Sequence, residues 1–252
     1  INIAKSFNFN IKPLDVNTSG TVWEISPDGK TLIQPLTSVK GLGEAAIAQI
    51  LDNRPFENIE EFIFNEDIVY SKLNKKAIDV LIRSQALNDL MDEQFTGLKH
   101  FWSSIIIERP KTRKKLNEYI SEYATEGDFS KEEKIEYLSS LTGVFPLDMI
   151  LSDETRSKLD NLYIPSISEY DSELQLCWFI AREVIKKTSK NGRDYLVVNV
   201  IDDTSKATTI RCWNVRPGDE VELNKPYMAK LKHDPNWGFS TYSIKQNFRV
   251  LP

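Results

Sequence analysis

Leu36-Thr37-Ser38-Val39-Lys40-Gly41-Leu42-Gly43-Glu44-Ala45-Ala46-Ile47 is the stretch on which the reading of this 252-residue chain turns. Two glycines flank one apolar residue, and a helix is expected on each side. Downstream, Ile47, Ile50 and Leu51 recur at helical spacing, and Pro55 stops that helix. Glycine lets a backbone turn tightly and approach another surface closely. The helix that follows starts with free N–H groups, which can bind a phosphate oxygen. Lys40 sits beside the turn. Lys40, Gly41, Leu42 and Gly43 are therefore candidates for gripping a phosphate backbone. An ordinary turn between two helices fits these residues equally well when they are taken alone.

The next segment extends the pattern. Phe56 to Phe64 reads as a short amphipathic helix, and Leu73, Ala77, Val80 and Leu81 mark a third helix. Lys72, Lys75 and Lys76 are placed on that helix, which runs through Leu81 and Ile82 to Arg83. A further turn, Ser84-Gln85-Ala86-Leu87, follows. The two turns resemble paired helix-hairpin-helix elements, which hold DNA backbone without reading bases. The second turn lacks a glycine, which counts against phosphate binding by that turn itself; Lys75 and Lys76 are the candidate contacts there. Upstream, residues 1–35 are broken by Pro13, Gly20, Pro27, Gly29 and Pro35. Asp28-Gly29 between Trp23-Glu24-Ile25 and Thr31-Leu32-Ile33 predicts a hairpin. This piece is too small to fold alone. Residues 92–170 read as an acidic helical connector with solvated charges. Leu116, Tyr119, Ile120 and Tyr123 form one stripe there, and Ile135, Leu138 and Leu141 another, with Pro146 and Pro165 as punctuation.

From Ser172 the period changes. Tyr227, Ala229 and Leu231 alternate with Met228, Lys230 and Lys232. Tyr242, Ile244, Phe248 and Val250 alternate with polar residues in what reads as one strand. Leu196 to Ile201 is apolar on both faces, as suits a strand near the centre of a sheet. About five strands in about 80 residues predict a small β-barrel. The expected class is thus α+β.

The chain is 40% hydrophobic and 27% charged, which fits a globular protein and excludes a disordered one. No apolar run approaches the ~18 residues of a membrane span, and no leader is read. Ile1 at the first position suggests a fragment or a processed product, and a missing disordered start would look the same. Cys177, Cys212, His100 and His233 show no metal-ligand spacing, so the cysteines are expected to be reduced core residues of a cytoplasmic protein. The net charge of −5 is unevenly spread. From Ser172 onward 13 Lys and Arg face 9 Asp and Glu, whereas the remainder holds 19 against 28. The last third is locally basic, and local field decides how a polyanion is attracted.

Over nearly its whole length the chain resembles the C-terminal part of the alpha subunit of bacterial DNA polymerase III. Ile11-Lys12-Pro13-Leu14-Asp15-Val16-Asn17-Thr18-Ser19 is similar to the end of that family's fingers. Val39 to Ala46 resembles its first hairpin. Pro55 to Phe62, Asn74 to Ile82 and Glu136 to Asp148 follow in the family's order. Two departures mark a divergent relative, such as a viral one: Val144-Phe145 replaces the usual histidine before the proline, and the second hairpin lacks its glycine. The resemblance implies a fingers-like end over 1–35, a tandem helix-hairpin-helix region over 36–91, a helical connector over 92–170 and an OB-like barrel over 171–252. It implies that the helical part holds duplex backbone and the barrel holds single-stranded template. Such barrels bind single strands through a basic groove and exposed rings. The candidate contacts are Lys186, Lys187, Lys190, Arg193, Arg211, Trp213, Lys230, Lys232 and Trp237, near the loops 188–193 and 234–238. Upstream polymerase domains and a sliding clamp are the implied protein partners. Gln94-Phe95 and Leu98 to Phe101 match the clamp peptide poorly. The rival class is a stand-alone nucleic-acid-binding or interaction module.

A polymerase needs carboxylates that hold metal ions, and magnesium is implied for a palm domain outside this sequence. Asp202 and Asp203 are adjacent, so their side chains are expected to point opposite ways. No nucleophile, base or metal pair is recognisable in this chain, and no cofactor is expected of it. The 252-residue chain, incubated with a primed template, nucleotides and magnesium, is expected not to extend the primer. Extension products on a denaturing gel would overturn this.

Overall fold

A computed structural model describes residues 10–204 and 206–252. The fold is α+β, in two compact units, one ending at Phe145 and the other starting at Pro146, each with its own core. Residues 1–9 of the fingers-like segment lie outside the described residues.

In the first unit β1 (Asn10–Lys12) runs parallel to β3 (Thr31–Ile33), and β2 (Glu24–Ile25) pairs antiparallel with β3. The expected hairpin therefore forms. Its turn is held by the Asp28 carboxylate, which accepts from the Ser26 hydroxyl, from the backbone N–H groups of Lys30 (2.8 Å) and Thr31 (3.1 Å), and from the Thr31 hydroxyl (3.0 Å). Helices follow: α1 (Glu44–Asn53), α2 (Ile59–Phe64), α3 (Lys75–Arg83), α4 (Leu98–Trp102), α5 (Arg113–Glu122) and α6 (Lys131–Thr142). A π-helical turn, Ser103–Ile107, continues α4. Caps set most of the starts. Asn58, Asn74 and Thr112 accept from the third residue inside α2, α3 and α5, and Ser130 with Glu133 makes a capping box on α6. Gly143 (φ 67°) ends α6.

Leu36, Ile50, Phe62, Leu73, Ile78, Leu81 and Leu87 lie in one core. Phe95, Leu98, Phe101, Ile105, Leu116 and Phe129 belong to the same core, although they fall in the stretch read as a connector. His100 is fully buried there. The Thr96 N–H donates to its Nδ1 (3.0 Å) and its Nε2 faces the Ile120 carbonyl (2.7 Å), which fits a neutral ring protonated at Nε2. Two expectations change. The element before the glycine turn is only a three-residue 3-10 turn, Leu36–Ser38. Lys72 lies in the turn before α3 and not on the helix.

The second unit opens with α7 (Leu147–Ile150) and α8 (Asp153–Asn161). Seven strands follow: β4 (Leu176–Thr188), β5 (Asp194–Ile201), β6 (Thr208–Cys212), β7 (Pro226–Lys230), β8 (Lys232–Asp234), β9 (Gly238–Thr241) and β10 (Phe248–Val250). Their order in the sheet is β10-β7-β4-β5-β6-β9-β8. β4 pairs with β7 through Leu176–Ile180 and with β5 through Ile180–Thr188, and a register shift between Ala181 and Glu183 lets it bend between the two. β6 and β9 are parallel. Only Leu231 separates β7 from β8, so one chain run contributes near both ends of the ladder and the sheet curls on itself as an OB-like barrel. Phe179, Ala181, Val198, Ile210, Tyr227 and Phe248 fill it.

β5 is central, as its apolar run predicts. The expected single strand over 241–250 is instead interrupted by a helical turn, α9 (Ile244–Asn247). Ile244 and Phe248 are both buried and four apart, a spacing that suits a helix as well as a strand, and the Ser243 hydroxyl caps the turn by accepting from the Gln246 N–H (3.3 Å). Cys177 and Cys212 are free and buried, and burial pushes both thiols up to about 12.

Asp202 lies in the turn after β5, wholly buried. Its carboxylate accepts from the Ser168 N–H (2.8 Å), the Thr204 N–H (3.0 Å) and the Thr204 hydroxyl (2.6 Å). Burial acts to raise its pKa, but the bonds from Ser168 and Thr204 outweigh burial and hold it below the ordinary carboxylate value. A depressed folded-state pKa stabilises the fold above the unfolded-state value of about 3.9, and that contribution is lost as pH falls through the folded-state one. Asp202→Ala strands buried donors and is expected to cost about 2–3 kcal/mol at pH 7. Denaturant unfolding at pH 7 and at about pH 2 checks both points: the gap between variant and parent should narrow in acid, and equal stability at pH 7 would refute the role.

Candidate nucleic-acid interface

The glycine turn is built as its residues suggest. Gly41 has φ 91°, a left-handed conformation that favours glycine, and a Cβ there would lie 3.6 Å from Val80 Cγ2 on α3. Leu42 is buried in the core, so only its backbone is available to a ligand. Gly43 is the N-cap of α1 at φ −80°, and nothing lies within 4 Å of where its Cβ would be. Among the described helices of eight residues or more, α1 alone has no side-chain cap. Its first N–H groups are thus left for solvent or an anion. The turn is braced from below: the Lys40 N–H donates to the Leu141 carbonyl (2.7 Å), and Gln34 Nε2 to the Thr142 carbonyl (3.2 Å). The Lys40 side chain is exposed, and so is Glu44 in the first turn of α1, where a carboxylate opposes an incoming phosphate.

The second turn differs. Gln85 takes the left-handed conformation (φ 65°) where a glycine is usual. The Gln85 N–H donates to Ile82 and the Ala86 N–H to Leu81, both at 2.9 Å, which is the Schellman ending of α3. The Ala86 carbonyl accepts from the Val16 N–H (3.0 Å). These groups are used within the fold, so the second element offers lysines and not an open backbone. Lys75 Nζ donates to the Ile107 carbonyl (3.3 Å), and Lys76 is exposed.

On the barrel, strand register sorts the candidates. Directly opposed residues share a face. Lys187 opposes Tyr195, whose ring lies 4.6 Å from that of Trp213. Arg211 opposes Val197 and Ser240, and Ser240 opposes Lys232. Lys187, Arg211, Trp213 and Lys232 therefore stand on one outer face, together with Tyr195. Trp213 is half-buried and outside the core cluster. Tyr195 was not among the sequence candidates; its pairing opposite Lys187 places it on the outer face. Lys190 and Arg193 are exposed on the adjoining hairpin loop, which turns at Gly192 (φ 71°) and is closed by the Ser189 N–H to the Arg193 carbonyl (2.9 Å). Trp237 is 72% exposed on a pinned loop: Asp234 accepts from the Asn236 and Trp237 N–H groups (2.8 and 3.0 Å), and Arg211 donates to the Trp237 carbonyl. Two candidates stand apart. Lys186 is engaged by Asp194 (2.7 Å), and Lys230 opposes Leu176 on the β4–β7 side. A cleft of about 480 Å³ in this unit, lined by Trp178, Ser166, Asp160, Glu169 and Asp203, is acidic and ill suited to phosphate.

Among the described residues no three His, Cys, Asp or Glu side chains cluster to hold a metal ion, and no helix is long and apolar enough to cross a membrane. Residues 8–108 match a protein-family model described as a helix-hairpin-helix motif. No curated protein matches the chain. The matched motif, over a turn with this geometry, supports nucleic-acid binding by the first unit.

Gly43→Val meets open space at an ordinary φ, so its cost to stability should be limited to the poorer N-cap, about 1 kcal/mol or less. Loss of one charge-assisted bond of about 1.5 kcal/mol should weaken duplex binding about tenfold, whatever the sequence. Gly41→Val should instead cost about 1–3 kcal/mol of stability through its left-handed φ. Duplex affinity at one salt concentration, beside thermal melts, separates the two; unchanged affinity in Gly43→Val would make the turn purely structural.

Proposed function

We propose that this chain is the DNA-binding C-terminal part of a replicative DNA polymerase similar to the DNA polymerase III alpha subunit. Residues 36–91 hold the backbone of duplex, and the barrel over 171–252 holds single-stranded template. Residues 1–35 continue a fingers-like segment; of the stretch 92–170, residues up to 145 complete the first unit and the rest belong to the second. The observation that carries the reading is the uncapped start of α1 behind Gly41-Leu42-Gly43, inside the helix-hairpin-helix match. An OB-like barrel following such a region in one chain supports the polymerase context. The row Lys187, Tyr195, Trp213, Arg211 and Lys232 supports single-strand binding, because it pairs cations with rings on which bases can stack. In this reading both tasks are positional. Catalysis and magnesium belong to upstream domains, a sliding clamp is a further partner, and the setting is cytoplasmic.

A salt titration of the whole chain on a labelled single-stranded oligonucleotide tests the barrel. Replacing Lys190 and Arg193 together by Ala should lower affinity and flatten the log–log salt slope by roughly 0.7 per lost phosphate contact. Trp237→Ala should cost about 1–3 kcal/mol of binding with the slope nearly unchanged. Because Trp237 is 72% exposed, its melting temperature should hold. Parental binding by both variants would remove the barrel from the DNA path.

A further inference from the structure

The residues just beyond the matched motif, Arg109-Pro110-Lys111-Thr112-Arg113-Lys114-Lys115, hold five cations in seven positions. The two arginines are engaged by the fold, Arg109 partly buried and Arg113 at the surface. The Arg109 guanidinium lies over the Tyr70 ring, 3.4 Å from its centroid, and donates to the Ile63 carbonyl (3.3 Å). Arg113 Nε pairs with Glu60 (2.9 Å). Lys115 pairs with Glu118 (2.7 Å), and Glu108 is engaged with the Tyr119 hydroxyl. Lys111 and Lys114 are exposed, and among the described residues no hydrogen bond or ion pair engages their ammonium groups. The same holds for Lys72 and Lys76.

The start of α3 meets the chain just before the second group, since Lys75 Nζ reaches the Ile107 carbonyl at 3.3 Å and Lys111 follows four residues on. The first turns of α1, α2, α6 and α8 carry acidic residues, as the helix dipole favours. The first turns of α3 and α5 carry none and are lysine-rich instead. Cations there oppose the dipole, so helix stability does not account for them. Lys76 lies one helical turn before Val80, and Val80 touches the Gly41 turn. A cationic strip thus comprises the start of α3, the helix whose Val80 lies against the Gly41 turn, and the start of α5.

The geometry points to a second phosphate-binding surface, formed by Lys72, Lys75, Lys76, Lys111 and Lys114, that takes the backbone of the duplex held at the glycine turn. This rests on the proposed duplex binding and extends it beyond the motif. Lysine, a flexible point charge, suits phosphates without reading bases.

The test uses the full chain and a labelled duplex of mixed sequence over a salt series, for the parent, Lys111→Ala with Lys114→Ala, Lys114→Glu and Gly43→Val. The double alanine variant should bind more weakly, with a log–log salt slope smaller by roughly 0.9 per lost contact. Lys114→Glu should bind more weakly than the parent too. The melting temperature should stay level or rise, since alanine relieves the opposition to the dipole. Parental affinity and slope in the double variant, with Gly43→Val weakened, would overturn the strip and leave the duplex reading standing. A parent that binds no duplex would overturn both. Phosphatidylserine vesicles are the remaining arm: if the double variant lost vesicle binding and kept duplex affinity, the strip would be a membrane-surface patch and the inference would fall.

Discussion

One backbone hydrogen bond, from the Lys40 N–H to the Leu141 carbonyl at 2.7 Å, fixes the glycine turn to the last turn of α6. Gly41 and Gly43 have no side chain with which to hold position, so besides the backbone bond only Leu42, buried in the core, anchors the turn from within. Val80 closes it from the other side, and Gln34 adds a second bond to the same end of α6. An uncapped helix start is useful to a ligand only if it is rigid. The bond thereby links two stretches that look independent in the sequence, the motif at 36–47 and the helix at 131–142, and explains why the latter packs with the former.

Much of this was legible from residue spacing, and the failures have physical causes. The turn could be read because glycine has few other uses between an apolar residue and a helix. The hairpin at Asp28-Gly29 could be read from its turn chemistry. The turn at 84–87 could be read as well, but not the left-handed conformation of Gln85, because a left-handed glutamine leaves no compositional mark and is held by the Schellman bonds around it. Nor could α9 be separated from a strand, since Ile244 and Phe248 satisfy both periods. Tyr195 abuts the run 196–201, which is apolar on both faces in sequence, so its outward position opposite Lys187 is set by strand pairing and not by composition.

Charge averages hid more than they showed. The first 171 residues are acidic in total, yet the starts of α3 and α5 are lysine-rich. Within the run 109–115, side-chain chemistry divides the work. Arginines, with planar forks, bind a ring, a carbonyl and a carboxylate of the fold, and Lys115 pairs with Glu118; Lys111 and Lys114 are left at the surface. The same split recurs on the barrel, where Arg211 secures the loop that carries Trp237 and lysines flank the row.

The curled sheet bears on self-association. A strand with a free side is a template on which another chain can add. In the second unit the run that forms β7 and β8 pairs on both flanks of the ladder, and the terminal strands β8 and β10 are three residues each. In the first unit, β2 lies at the edge of its small sheet, beside the exposed Val22, Trp23 and Ile25. If copies of this chain stick together through strand addition, the nucleus lies at that edge and not on the barrel.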